Sequence, residues 1–549
     1  MIIKKFPILL IALILAACGS STISEEVSVP TVSLQTIENN IRILASDDFQ
    51  GRKPFTEGEE KTVSFLKDQL KGYGLDPGNG NSFEQQVNLV ELRATPDEEM
   101  IFKTTSGRVA LQSGTDFVAY TEQVTESVQL QDSEVVFAGY GVVAPEYDWN
   151  DYADLDVKGK TVVVLVNDPG FGGEDSTFFK GNVMTYYGRW TYKYEEAMRQ
   201  GAAGVLIVHE TVPAGYGWAV VKNSWSGARL YLDNAASGQE LPKIQGWISR
   251  DAAIKLFKAS GVDMSNFQAR ARTRGFRAIP LNMTASVGLT NEIRKDVSKN
   301  VIAKMPGTKR SEEYVLYSAH WDHLGVGIPV DGDSIYNGAH DNASGTATLL
   351  AIAEAFSKMS IGPERTVVFL FVTAEEQGLL GSAYYAANPI YPPQETIANI
   401  NMDGLGYHGK MKDLTVVGYG QSELDDLAEK IAKKQGRYII PDPDPGKGYF
   451  FRSDHFSFAK VGIPAIFASG SYESVDKGVD YIREKTTEFL TTAYHKPADE
   501  IGEDWSFEGM QQDGQLFFEM GINLAEESTD IQWKKGSEFK AIREKSLRK

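Results

Sequence analysis

The stretch Thr366-Val367-Val368-Phe369-Leu370-Phe371-Val372-Thr373-Ala374-Glu375-Glu376-Gln377-Gly378 sets the reading of the chain. Residues 366–373 are almost wholly apolar and rich in β-branched and aromatic side chains. That pattern predicts a central strand buried on both faces, as in a parallel sheet. Two adjacent carboxylates follow at once. At a buried strand end such a pair repels, and one member has a raised pKa unless a cation lies between them. A metal would relieve the repulsion by binding one carboxylate and leaving the other as a base.

Working outward, strand and helix patterns alternate after about residue 293, which implies an α/β fold with a mixed, mainly parallel β-sheet between helices. Strands are expected at 314–319, 397–402 and 414–417. Helices are expected at 343–359 and 422–435, and Pro441 to Gly448 is a loop. Upstream, 33–45 and 59–72 have helical spacing, with Ser33 as a possible cap. Between about 95 and 292 the texture differs: short β-type runs alternate with glycine- and aromatic-rich loops. This segment reads as a separate, mostly-β domain with a helix or two.

Six of the seven histidines follow residue 319, several at predicted strand ends beside acids. In an open α/β sheet, sites form at the carboxyl ends of strands. His320-Trp321-Asp322-His323 follows one strand, and Asp322 can reach the His320 ring and fix its tautomer. Asp341-Asn342 stands at a helix entry, where Asn342 or Ser344 can cap. Glu375-Glu376 and Asn401-Met402-Asp403 end two further strands, and Tyr494-His495-Lys496-Pro497-Ala498-Asp499 adds a late histidine in a loop. Taken singly, each is an ordinary cap, turn or solvated face; their conjunction in one α/β region is not.

Other signatures fail. There is no His-Glu-x-x-His helix and no Gly-x-Ser-x-Gly elbow. Gly404 to Gly409 fits Gly-x-Gly-x-x-Gly but precedes a strand, so a nucleotide site is rejected.

The 549 residues suggest two to four domains, and 42% apolar with 23% charged residues is ordinary for a globular protein. One cysteine excludes an internal disulfide framework and any cysteine-rich metal site. A net charge of −19 argues against nucleic-acid binding by bulk positive charge. Residues 1–17 have the order of a secretory signal: Lys4 and Lys5, then the apolar run 6–15, too short to span a membrane. The run ends Leu15-Ala16-Ala17-Cys18, which resembles a bacterial lipobox. Cys18 would carry the lipid, and 18–30 would be a flexible tether. Gly19 in place of Asp favours the outer membrane. The expected location is therefore the bacterial cell envelope, lipid-anchored and facing the periplasm or the cell surface.

The ordered motifs SAHWDHLG, GAHDNASG, TAEEQGLLGS, NINMDGLG, RSDHFSFAKVGIPA and YHKPADE resemble the M28 family of di-zinc aminopeptidases. The resemblance covers about 31–94 and 293–525 and implies the zinc exopeptidase fold. The middle segment, with VVFAGYGVVAPEYDWNDYADLDVKGKTVVVLVNDPG and EEAMRQGAAGVLIVHE, resembles a protease-associated (PA) domain inserted into such a peptidase. The implied layout is a signal peptide at 1–17, a tether at 18–30, peptidase parts at 31–94 and 293–530, the insert at 95–292 and a polar tail at 531–549.

The resemblance also implies roles. His320 and Asp403 bind one zinc, Glu376 and His495 the other, and Asp341 bridges both. Glu375 is the general base and Asp322 orients His320. Two zinc ions per chain and a peptide substrate follow. His340 is a neighbour of Asp341 rather than a ligand, and His323 and His455 lie outside the implied ligand set. Tyr449, Arg452, Ser453 and Asp454 are candidate pocket residues, and Tyr216 and Trp218 of the insert are candidates for shaping access. A carboxypeptidase or dipeptidase on the same scaffold, a one-zinc glutaminyl-cyclase-like acyltransferase and a non-catalytic binding protein remain the alternatives. The oligomeric state is not legible.

Overall fold

The computed structural model describes residues 29–548 apart from 226, 234–239, 264–265 and 529. The expected signal peptide, Cys18 and nearly all of the tether lie outside the described residues. Among the described residues, no helix is long and apolar enough to cross a membrane.

The strand read from 366–373 is Arg365–Val372, and every residue in it is buried. Successive side chains of a strand point to opposite faces. Val367, Phe369 and Phe371 accordingly enter one apolar cluster, whereas Val368, Leu370 and Val372 enter another. The first cluster is covered by the helices Leu34–Leu44, Glu57–Gly72, Ser344–Ser357 and Glu508–Glu526. The second gathers Tyr385, Phe458 and Ile463 on the opposite face. Helix Leu34–Leu44 begins where Ser33 Oγ accepts the Thr36 amide at 3.1 Å and buries Ile37, Ile41 and Leu44.

In the sheet, Arg365–Val372 pairs in parallel with Arg310–His320, which pairs in parallel with Thr396–Asn401, which pairs in parallel with Ala465–Ser469. Asp413–Val417 adds to Ala465–Ser469 in antiparallel sense and carries Tyr438–Pro441 at its outer side. The result is a mixed α/β fold whose sheet is parallel at its centre.

The segment 95–292 builds its own clusters, around Phe102, Phe137 and Leu206 and around Val164, Ile207 and Trp247. Its inner strands Ser127–Phe137, Thr161–Leu165, Gly204–His209 and Ile244–Ser249 run parallel to one another. One long strand, Ile279–Met305, pairs with Ser127–Phe137 at its start and with Arg365–Val372 at its end. Between, it forms an antiparallel ribbon with Glu84–Pro96.

A second bridge is made by side chains. The Met184 amide donates to the Pro445 carbonyl at 3.2 Å, and the Tyr186 ring meets Phe456 edge-on at 5.1 Å. The polar tail joins the same place: Trp533 and Phe539 are buried with Phe450, Phe451 and Phe456, and the helix Lys540–Leu547 follows. Composition alone reads this tail as frayed, because two aromatic anchors vanish in the average of a polar segment.

Candidate active site

Three neighbouring parallel strands end on one edge of the sheet. His320 stands opposite Val372, and Ser318 opposite Asn401. The loops leaving these ends carry His320 itself, Glu375 and Glu376, and Asp403 to a common place, where an open sheet gathers ligands.

Asp341 arrives from a different direction, in the turn before helix Ser344–Ser357. Gly338 opens that turn at a φ of 58°, and a Cβ there would come within 2.2 Å of the Asp341 carbonyl oxygen. Asn342 ends the turn by accepting the Gly345 amide at 2.9 Å and the Gly404 amide at 3.2 Å, which ties the helix start to the Asp403 loop. The Asp341–Asn342 peptide is cis. Asp499, from the late-histidine loop, accepts the amides of His340 at 2.9 Å and Asp341 at 3.1 Å.

Asp341 is central. Its Oδ1 lies 3.4 Å from His320 Nε2, and its Oδ2 lies 3.3 Å from His495 Nε2. His320 Nε2 also lies 3.3 Å from Asp403 Oδ1 and 3.9 Å from Glu375 Oε2. His495 Nε2 lies 3.2 Å from Glu376 Oε2. Two donor groups emerge, His320 with Glu375 and Asp403, and His323 with Asp341 and Glu376, each with its donor atoms within 4.8 Å of one another.

Electrostatics show what this cluster lacks. Burial would lower the His320 pKa, but the charges of Glu375 and Asp403 hold it well above the ordinary imidazole value. His495 behaves alike, with Glu376 and Asp341 overcoming burial. Burial and Asp341 push Glu376 upward, yet His495 and His323 bring it below the ordinary carboxylate range. Burial drives Glu375 well above that range, with His320 opposing and Asp403 and Glu376 adding. Four carboxylates thus converge on imidazoles that must carry protons to balance them. Cations in the two donor groups would supply that balance, so the residues fit divalent metal ions that take histidine and carboxylate ligands.

Asp322 stands behind the cluster. His320 Nδ1 lies 3.1 Å from the Asp322 carbonyl oxygen and 3.8 Å from its carboxylate. The Asp322 carboxylate instead accepts the Glu375 amide at 3.0 Å, and burial lifts its pKa to about 8. It therefore joins two of the ligand-bearing loops.

The four candidate pocket residues divide. Arg452 lies over the Tyr449 ring at 5.2 Å, both partly exposed. Ser453 is buried and accepts a hydrogen bond from Asn401 Nδ2 at 2.8 Å, and Asp454 is wholly buried, its pKa lifted to about 7 by that burial. Tyr216 and Trp218 flank His209, whose Nε2 is 3.0 Å from the Tyr216 carbonyl oxygen.

Two residues were missed by sequence reasoning. His323 Nδ1 is 2.6 Å from Glu376 Oε1, and its buried Nε2 has no hydrogen-bond partner. The His-x-x-His spacing was the available signal. Arg52 is buried beneath the site and donates to the carbonyls of Trp321, Leu44, Asn337 and Gly338 at 2.6–2.9 Å. Burial lowers its pKa to about 10, while Asp499, Asp322, Asp341 and Glu376 oppose that shift. Nothing in its local sequence marks it.

Comparison with known proteins places residues 300–518 within the model of Peptidase family M28. A probable aminopeptidase of Saccharomyces cerevisiae is 31% identical over 176 residues, covering 31% of this chain and 46% of that protein. A probable glutamate carboxypeptidase of Arabidopsis thaliana is 26% identical over 338 residues, covering 56% of this chain and 42% of that protein. The chain spans about half the length of the curated relatives it matches. Among solved structures, an aminopeptidase from Aneurinibacillus sp. strain AM-1 is 20% identical with a TM-score of 0.48, covering 91% of this chain and 95% of that one.

Proposed function

We propose that the protein is a zinc-dependent exopeptidase of the M28 type that removes N-terminal residues from peptides. The observation that carries this reading is the Asp341 carboxylate, which turns one oxygen to His320 and the other to His495 with Glu375 beside them. His320 and Asp403 would hold one zinc, Glu376 and His495 the other, with Asp341 shared; His323 supports Glu376. Bound there, two zinc ions polarise the peptide carbonyl and make water a competent nucleophile near neutral pH.

The chain's own residues do the rest. Glu375, whose burial raises its proton affinity, accepts a proton from the attacking water and returns it to the departing amine. The carbonyl carbon gains the water oxygen and loses the amide nitrogen. Asp322 holds the Glu375 amide and so fixes where that base stands. Arg52 and Asp499 hold the loops that carry Trp321, Gly338 and Asp341.

The β-rich segment 95–292 fits a protease-associated insert that shapes access to the site. The lipobox-like start places the protein on a lipid anchor at Cys18 in a bacterial envelope, facing the periplasm or the cell surface.

Purified protein loaded with zinc should release N-terminal residues from a peptide library, read by mass spectrometry, and a chelator should abolish release. Two zincs per chain are expected by metal analysis. Cleavage confined to N-terminally blocked peptides would replace this reading with a carboxypeptidase. No hydrolysis of any library member by the zinc-loaded chain would overturn it.

A further inference from the structure

The insert and the parallel-sheet unit meet along the segments 182–189 and 445–456, and each contributes an arginine to the seam. Arg189 caps the start of helix Trp190–Arg199, and Arg452 follows the turn Tyr449–Phe451. Packing around them is close: a Cβ on Gly448 would come within 2.4 Å of Met184 Sδ, and one on Gly446 within 2.9 Å of the Asn182 carbonyl oxygen.

The two guanidinium groups are under-satisfied. Arg189 lies over the Trp190 ring at 5.4 Å, its Nε is buried without a hydrogen-bond partner, and among the described residues no carboxylate pairs with it. Arg452 donates one hydrogen bond, from Nη2 to the Lys447 carbonyl at 2.7 Å, and its Nε is likewise buried and unpartnered. Burial pulls the Arg189 pKa down to about 10 and the nearby Arg452 charge lowers it further, whereas Tyr216, Tyr494 and Glu375 act the other way. Tyr216 feels both arginines. Tyr494 stacks on His495 at 3.9 Å and is within the fields of Asp341, Glu376, Glu375 and Asp403. The arginine pair therefore borders the donor cluster.

Two cations held side by side without a counter-charge are unfavourable unless an anion completes them. The nearby acids are already committed to the histidines and to metal. A guanidinium fork matches a carboxylate bidentately, and two forks from facing segments define a pocket for one. Resting on the peptidase reading above, we propose that Arg189 and Arg452 form a carboxylate-binding subsite. The preferred substrates are then short peptides with a carboxylate near the scissile bond, and Arg189 is the specificity determinant that the insert brings to the site. The carboxylate is either the chain terminus of a dipeptide or an acidic side chain.

The test uses full-chain, zinc-loaded Glu375→Gln protein, so that probes are bound and not consumed. Four probes are titrated by calorimetry: Ala-Ala, Ala-Ala amide, Ala-Asp amide and Ala-Asn amide. At least one carboxylate probe is expected to bind about tenfold tighter than its neutral counterpart, the scale of one good charge-assisted pair. Preference for Ala-Ala over its amide assigns the chain terminus; preference for Ala-Asp amide over Ala-Asn amide assigns the side chain. Added Arg189→Gln should remove most of the preference while changing binding of the neutral probes by less than about twofold, and Arg189→Lys should keep part of it. Equal binding of charged and neutral probes, or a preference that survives Arg189→Gln, overturns the subsite. Should Arg189→Gln weaken all four probes alike, Arg189→Lys decides: loss of the preference with neutral binding intact supports the subsite, and full retention overturns it. Hydrolysis by the wild-type chain separates the two readings. Discrimination in binding without cleavage of any probe sinks the peptidase and leaves the subsite. Cleavage of all four at equal kcat/KM sinks the subsite and leaves the peptidase.

Discussion

The Asp499 carboxylate accepts the backbone amide of Asp341 at 3.1 Å. This bond locks the loop that carries His495 to the turn that carries Asp341, so the two ligand-bearing segments are positioned as one piece. Asp499→Ala is expected to weaken zinc binding about 10- to 100-fold, the usual effect of removing a partner that orients ligands. Calorimetric zinc titration of the purified variant measures it, with circular dichroism to show an intact fold. Unchanged affinity would make Asp499 only a loop staple.

Glu375 is assigned a proton-transfer role and not a ligand role. Glu375→Gln keeps size and hydrogen bonding but cannot take a proton, so kcat is expected to fall about 10²- to 10⁴-fold. Zinc content by mass spectrometry should stay at the wild-type value. Loss of zinc together with activity would place Glu375 among the ligands of His320 and Asp403.

Arg52 fills four carbonyl acceptors from one wholly buried position. Arg52→Ala leaves those acceptors unpaired and removes the positive charge beneath the carboxylates. A destabilisation of on the order of 3 kcal/mol is expected in urea unfolding at neutral pH. Arg52→Lys should recover little, because one ammonium cannot reproduce the planar fork. A change below about 0.5 kcal/mol in both variants would contradict this account.

His455 supplies a pH dependence. It is completely buried among Phe450 and Phe467, and burial lowers its pKa from 6.5 to about 3. Above pH 6.5 both folded and unfolded forms are neutral and the residue costs nothing. As pH falls from 6.5 toward 3 the unfolded chain takes up a proton that the folded chain refuses, so stability drops by up to about 1.4 kcal/mol per pH unit. His455→Phe should flatten the urea-unfolding profile between pH 6.5 and 4.5 by about that slope. An equally steep profile in the variant would mean that other groups carry the acid sensitivity.

Much of this architecture was legible because it rests on local rules. The strand Arg365–Val372 and the acid pair after it follow from an apolar run and a strand end, and Ser33 caps its helix as its residue type suggests. His320, Asp341, Glu375, Glu376, Asp403 and His495 were named from motifs, and the fold brings all six together. What escaped depends on non-local geometry. Whether His323 faces Glu376 is set by how the chain leaves the strand after His320, where no periodicity holds. The burial of Arg52 arises where loops from 44, 321 and 337–338 cross over a turn-rich stretch that reads as surface. Arg189 belongs to a segment far along the chain from every ligand, and only the seam with 445–456 brings it near them. Trp533 was hidden by the polar company it keeps.

The strand Ile279–Met305 runs unbroken from the insert into the catalytic sheet, with Glu84–Pro96 hydrogen-bonded along it. The chain therefore enters and leaves the insert through two adjacent strands acting as a single stiff lever. A tilt of the insert has to twist that lever at its root, beside the strand that delivers Glu375 and Glu376. Opening the seam at Arg189 and disturbing the metal ligands are thus mechanically linked, and substrate size could be adjusted by altering the insert alone without rebuilding the parallel strands that hold the chemistry.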